Sequence, residues 1–99
     1  VLAGEGGLLA DGRWHGAGRR IVYTATSEAL AVLELRVHLG RLAPKAPYTM
    51  HTIELPDELV ELAPVRRLPK GWQAVPVTKA SQQFGDAWLA AGQPLALRV

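Results

Sequence analysis

Between Glu28 and Leu39 the chain is apolar at most positions, interrupted by Glu34, Arg36 and His38. Leu30, Leu33 and Val37 form a stripe at i, i+3 and i+7, and Ala31, Val32, Leu35 and Leu39 cover much of the rest. That pattern predicts a buried helix over 28–39. Thr26 or Ser27 offers its N-cap, Glu28 suits its first turn and Gly40 supplies a left-handed stop. A second helix is predicted over 79–91, with Thr78 as cap, Gly92 as stop, and Phe84 and Trp88 as i, i+4 neighbours. Gly85 inside it costs about 1 kcal/mol relative to Ala. Ile21–Thr24, Tyr48–Leu55 and Leu95–Val99 carry β-branched or alternating apolar residues and read as strands. Asp57–Leu62 reads as a short helix capped by Asp57, ending before Pro64 restricts Ala63. Pro64–Pro76 is irregular, with a turn at Pro69-Lys70-Gly71-Trp72, and Ala43–Pro47 breaks the chain. The resulting order implies an α+β domain, one sheet packed by helices.

Composition narrows the classes. The chain has 99 residues, 48% of them hydrophobic and 20% charged, which is one globular domain of modest core rather than a disordered segment. It has no cysteine, which excludes a disulfide scaffold, a thiolate zinc site and a cysteine nucleophile. Eleven Lys and Arg against nine Asp and Glu leave a net charge of +2. The basic doublets Arg19–Arg20 and Arg66–Arg67 read as solvated surface pairs, short of a nucleic-acid-binding stripe. No apolar run approaches the roughly 18 residues of a membrane span. The start, Val1 to Glu5, lacks the basic and apolar regions of a signal peptide.

Candidate chemistry is concentrated in three places. Residues 4–18 hold six glycines, spaced unlike either nucleotide-binding glycine fingerprint, and around them sit Arg13, Trp14 and His15. Arg13 is either an exposed side chain or a bidentate anion ligand in a loop whose backbone can approach phosphate. Glu34 lies inside the apolar stripe, where a lone carboxylate needs a partner or a cleft. It either pairs with His38 at i+4, snorkels at the stripe edge, or points at a substrate from a rigid helix. Tyr23, just before that helix, is either core with its hydroxyl at the rim or a stacking surface for a flat heterocycle. His15, His38 and His51 lack metal-ligand spacing, no nucleophile elbow is present, and Trp72 and Trp88 read as core or interface anchors.

Together these positions resemble the RES domain family. Gly12-Arg13-Trp14, then Gly18 and Ile21-Val22-Tyr23-Thr24, resembles the family stretch GGRWN…G…VVYTS. Leu30–Glu34 followed by Val37-His38-Leu39 resembles the context of the family's helical glutamate. Leu68-Pro69-Lys70-Gly71-Trp72 is similar to its LP.gW turn, Gln83–Leu89 to its q.fGd.Wl helix, and Leu95–Val99 to the strand leading into Pro-Ser. The resemblance covers almost the whole chain. The family is named for an Arg, a Glu and a Ser; Arg13 and Glu34 match the first two, and Tyr23 matches the associated tyrosine. His15 stands where the family has Asn, and the family serine would follow Val99. The resemblance therefore implies a single RES-like domain over 1–99 that is truncated at both ends, with an incomplete ADP-ribosyltransferase-like sheet core packed by helices.

What the resemblance implies about function is a bacterial toxin of a toxin–antitoxin pair, cytoplasmic, that consumes NAD as substrate by cleaving its nicotinamide–ribose bond. The implied partner is an Xre-type antitoxin that blocks the active site; nucleic acid enters only through the antitoxin, no metal is implied, and homodimerisation stays open. Arg13 would bind the pyrophosphate, Tyr23 would stack beside nicotinamide or ribose, and Glu34 would bind ribose hydroxyls and stabilise positive charge at the anomeric carbon. The alternatives are ADP-ribosyl transfer to a protein by the same three residues, and a non-enzymatic basic module that binds nucleic acid through the Arg doublets.

Overall fold

The computed structural model describes residues 2–39, 47–92 and 94–99, with backbone alone for His38 and Leu39. The chain divides into two compact units, Val1–Val22 with Leu55–Val99, and Tyr23–Glu54. Helices plus a small sheet are compatible with the expected α+β class.

The first unit contains α1 (Gly6–Leu9), β1 (Val60–Leu62), α3 (Lys79–Ala91) and β2 (Ala96–Arg98), with 3-10 turns at Asp57–Leu59 and Val65–Arg67. β1 and β2 pair in parallel, with Val60 opposite Ala96, Glu61 opposite Leu97 and Leu62 opposite Arg98. The Ala63 N–H extends the ladder by donating to the Arg98 carbonyl at 2.9 Å. Parallel strands need a long crossover, and α3 lies in it. Here the sequence-based expectation of one helix over Asp57–Leu62 is corrected. A single 3-10 turn starts after Pro56 with no side-chain cap from Asp57, and Val60-Glu61-Leu62 then extends to meet β2. The pairing with a distant strand outweighs the local helical pattern.

α3 has the expected bounds. Gly92 terminates it at φ 75°, a left-handed conformation that glycine adopts without strain, and its N–H donates to the Leu89 carbonyl at 3.2 Å. Thr78 takes the N-cap position with extended backbone, yet its hydroxyl makes no capping bond; its Oγ1 is buried without a partner among the described residues. Instead its carbonyl accepts from the Ser81 hydroxyl at 3.0 Å. α1 was not expected in the glycine-rich segment. It is one turn long, and Gly7 within it sits so close to the following chain that a Cβ would lie 2.3 Å from the Arg19 carbonyl oxygen.

The core of this unit is Trp14, Ala63 and Leu68, with Trp72, Phe84 and Leu97 packed against it. The Trp14 ring stacks on Trp72 at 5.7 Å and 28°, and meets Phe84 edge-on at 5.8 Å and 62°. Such pairs add about 0.5–1.5 kcal/mol to the apolar burial of the rings. The turn at 69–72 is closed by the Trp72 N–H donating to the Pro69 carbonyl at 3.1 Å, with Gly71 at φ 79°.

The second unit contains α2 (Glu28–Leu39), again with the expected bounds. The Ser27 hydroxyl accepts from the Leu30 N–H at 3.1 Å, so Ser27 is the cap. Gly40 and the break over 43–46 lie outside the described residues. The expectation of a buried helix is corrected: Leu33 and Val37 are 57% and 72% exposed. The apolar residues of α2 surround the helix instead of forming one face, and the unit offers no described sheet to cover them. Neither Ile21–Thr24 nor Tyr48–Leu55 forms a strand. Their composition favours extended backbone, but a strand also requires a partner ladder, and among the described residues neither segment has one.

Candidate functional site

Arg13 is carried on a tight turn. Gly12 and His15 form an antiparallel bridge, with the Gly12 N–H donating to the His15 carbonyl at 3.0 Å, and Arg13 and Trp14 occupy the two positions between them. Trp14, 9% exposed, points into the core, which identifies it as an anchor of the turn. The half-buried Arg13 side chain crosses to the Pro69–Ala74 segment. Its Nη1 donates to the Trp72 carbonyl and, at 3.1 Å, to the Ala74 carbonyl. Both bonds use one nitrogen, and a guanidinium has three further N–H groups on Nη2 and Nε. Arg13 is thus no loose surface side chain, and among the described residues its hydrogen bonds run through Nη1.

α3 supplies the floor beneath this turn. Gly85 meets the Trp14 backbone so closely that a Cβ would lie 1.7 Å from its carbonyl oxygen. Gln82 Nε2 donates to the Gly12 carbonyl and to Asp11 Oδ2, both at 3.0 Å. The Asp86 carboxylate accepts from the Gly16 N–H at 3.1 and 3.2 Å and pairs with Arg19 Nε at 3.3 Å. His15 is 3% exposed, and its Nε2 lies 2.9 Å from the Ala10 carbonyl. A carbonyl only accepts, so Nε2 carries the proton.

Further along, the Glu61 carboxylate on β1 accepts from Trp88 Nε1 at 3.2 Å and pairs with Arg67 Nη1 at 3.3 Å. Sequence reasoning missed Glu61, Gln82 and Asp86, since each finds its partners through chain reversal. Of the two basic doublets, Arg19 and Arg67 pair with carboxylates and Arg20 Nη1 donates to the Ala3 carbonyl at 3.1 Å. A shallow apolar depression at the end of α3 is lined by Trp88, Leu89, Gly92, Pro94 and Leu95, none of them titratable. No cluster of three His, Asp or Glu with metal-binding geometry occurs among the described residues.

Tyr23 and Glu34 belong to the second unit, whereas Arg13 belongs to the first. Tyr23 is 51% exposed and precedes α2 in a segment without regular secondary structure, which takes the place of the strand expected to carry it. Glu34 projects from the middle of α2 and is exposed; its expected burial in an apolar stripe is corrected along with that of the helix. The expected Glu34–His38 pairing lies outside the described side chains. Glu34 nevertheless sits on an element whose start is fixed by the Ser27 cap, with helical residues 28–33 before it and 35–39 after it, none of them glycine or proline.

The chain belongs to the RES domain family, whose family model, described as RES domain, matches residues 1–99. It is 33% identical over 97 residues to a protein named Toxin Res from Photorhabdus laumondii, covering 98% of this chain and 62% of the relative. It is 49% identical over 90 residues to Toxin Res of Pseudomonas putida, covering 89% and 60%. It is 41% identical over 90 residues to a protein named Prs ADP-ribosylating toxin from a Sphingobium strain, covering 88% and 56%. The chain thus spans about three-fifths of the length of these curated relatives. No solved structure matches it, and no described helix is long and apolar enough to cross a membrane.

Proposed function

We propose that this chain is the central part of a RES toxin that consumes NAD by cleaving the nicotinamide–ribose bond. The observation that carries the reading is its 41% identity to a relative named as an ADP-ribosylating toxin. Transfer of ADP-ribose breaks that same bond, so any such enzyme must hold NAD and stabilise an oxocarbenium-like ribose. Nicotinamide leaves as a neutral amide, so the protein must supply orientation and charge stabilisation more than a strong nucleophile. Arg13 binds the pyrophosphate through the N–H groups that Nη1 does not provide. Tyr23 stacks beside nicotinamide or ribose. Glu34 accepts hydrogen bonds from ribose hydroxyls and faces the positive charge that develops at the anomeric carbon.

Water as acceptor gives ADP-ribose, and phosphate gives ADP-ribose 1-phosphate. A protein acceptor is the second reading, favoured by the name of the Sphingobium relative. The partner is an Xre-type antitoxin that blocks the site, in the cytoplasm where NAD is supplied, and nucleic acid is met only through that antitoxin. The test uses the intact gene product with adenine-labelled NAD, alone, with phosphate, and with cell lysate. Label in ADP-ribose or its 1-phosphate supports small-molecule cleavage, and label in protein supports transfer. Undiminished NAD in all three arms refutes the reading.

A further inference from the structure

We propose that Gln82 and Asp86 are positioning residues for Arg13, a claim that rests on the reading of Arg13 as the pyrophosphate ligand. The two residues lie at i and i+4 on α3, hence one above the other on a single helix face. They grip the two ends of the turn that carries Arg13. Gln82 Nε2 donates to the Gly12 carbonyl, the peptide immediately before Arg13, at 3.0 Å. Asp86 accepts from the Gly16 N–H just beyond the turn at 3.1 and 3.2 Å. Between them Gly85 lets the Trp14 backbone rest on the helix. The turn is therefore bolted to a rigid element at three successive points.

This matters because arginine has a long side chain with large rotamer freedom. Fixing its backbone origin from α3, and Nη1 from the Trp72 and Ala74 carbonyls, orders the remaining N–H groups before a ligand arrives. Pre-ordering lowers the entropy lost on binding. Pyrophosphate lies away from the bond that breaks, so its contact is made equally in ground and transition states. Loss of such a contact raises KM and leaves kcat nearly unchanged.

The experiment compares full-length Gln82→Ala, Asp86→Ala and Asp86→Asn with wild type. Gln82→Ala removes the bonds to the Gly12 carbonyl and to Asp11 Oδ2, and loss of the one bond that holds the Arg13 turn corresponds to about a fivefold rise in KM for NAD. That rise is expected for Gln82→Ala and Asp86→Ala, with kcat within about twofold. Asp86→Asn keeps one oxygen for the Gly16 N–H and loses the second branch of that bond together with the Arg19 pairing, so its KM lies between those of wild type and Asp86→Ala. A role confined to stability would lower the melting temperature and leave KM of the folded fraction unmoved, which overturns the proposal. A second readout does not depend on turnover: the Arg13 Nε–H resonance of the ligand-free protein, measured by NMR relaxation. Greater motion of that group in Gln82→Ala supports the proposal, and an equally ordered group overturns it. A wild type that leaves NAD intact removes the functional reading alone, because the relaxation result still decides whether α3 orders Arg13.

Discussion

Replacing Gly85 with Ala sets two effects against each other. Alanine is the better helix former, and in an exposed helix the change gains about 1 kcal/mol. In α3, however, the new methyl would lie 1.7 Å from the Trp14 carbonyl oxygen, 2.6 Å from its carbonyl carbon and 2.9 Å from its Cβ. Favourable carbon contacts begin at roughly 3.5 Å, so helix and turn must part by roughly 1.5–2 Å. The first two obstacles are backbone atoms, which no rotamer change removes. Parting them stretches the Gln82–Gly12 bond at 3.0 Å and the Asp86–Gly16 bond at 3.1 Å past useful length. Two lost hydrogen bonds cost about 2 kcal/mol and forced overpacking about 1–3 kcal/mol, so the net destabilisation is about 2–4 kcal/mol. In a protein of 150–250 residues that lowers Tm by roughly 5–15 °C, read by circular dichroism or calorimetry on the full-length protein. A Tm equal to or above wild type would mean that helix propensity wins and that the close approach of Trp14 to α3 is not part of the native fold.

Ser27→Ala removes the cap of α2 and should cost about 1 kcal/mol of local stability, seen as faster hydrogen exchange at the Leu30 amide; an unchanged rate contradicts the capping bond. Trp88→Phe deletes the indole donor to Glu61 and should lower stability by about 1–2 kcal/mol, read as a shift in urea midpoint at constant m; an unmoved midpoint shows that Glu61 relies on Arg67 alone. Arg13→Ala should raise KM for NAD about tenfold or more and also lower Tm, because the Trp72 and Ala74 carbonyls lose their donor; an unaltered KM would assign the phosphate contact to another residue.

The two long helices were legible in the sequence because their punctuation is local. Ser27 caps α2 from three residues before Leu30, and Gly92 ends α3 in the left-handed conformation that its missing Cβ permits. Of the expected strands, Leu95–Val99 is borne out by β2 at Ala96–Arg98, but the others were not legible, since extended backbone becomes a strand only when a distant segment supplies the ladder. Ile21–Thr24 has the composition and no described partner, while Val60–Leu62, patterned like a helix, pairs with Ala96–Arg98. The same non-locality hid the supports of the candidate site. Gly85 reads as a helix weakness in the sequence and proves to be a point of backbone contact. Backbone carbonyls leave no mark on a sequence, so the tethering of Arg13 by residues 72 and 74 could not be read there. Glu34 was singled out by its place in an apolar run, but α2 leaves that run largely uncovered; its proposed role rests on the resemblance of its helical context to the family's, and that helix is capped at its start by Ser27.

The most direct test of the functional account is the turnover of NAD by the full-length protein carrying Glu34→Gln. The substitution keeps size and hydrogen-bonding reach while removing the negative charge, on an exposed helical position where the fold tolerates it. With circular dichroism and Tm as in wild type, the account predicts loss of NAD consumption by several orders of magnitude, since a neutral amide cannot offset the charge developing on ribose. Turnover close to that of wild type would contradict it.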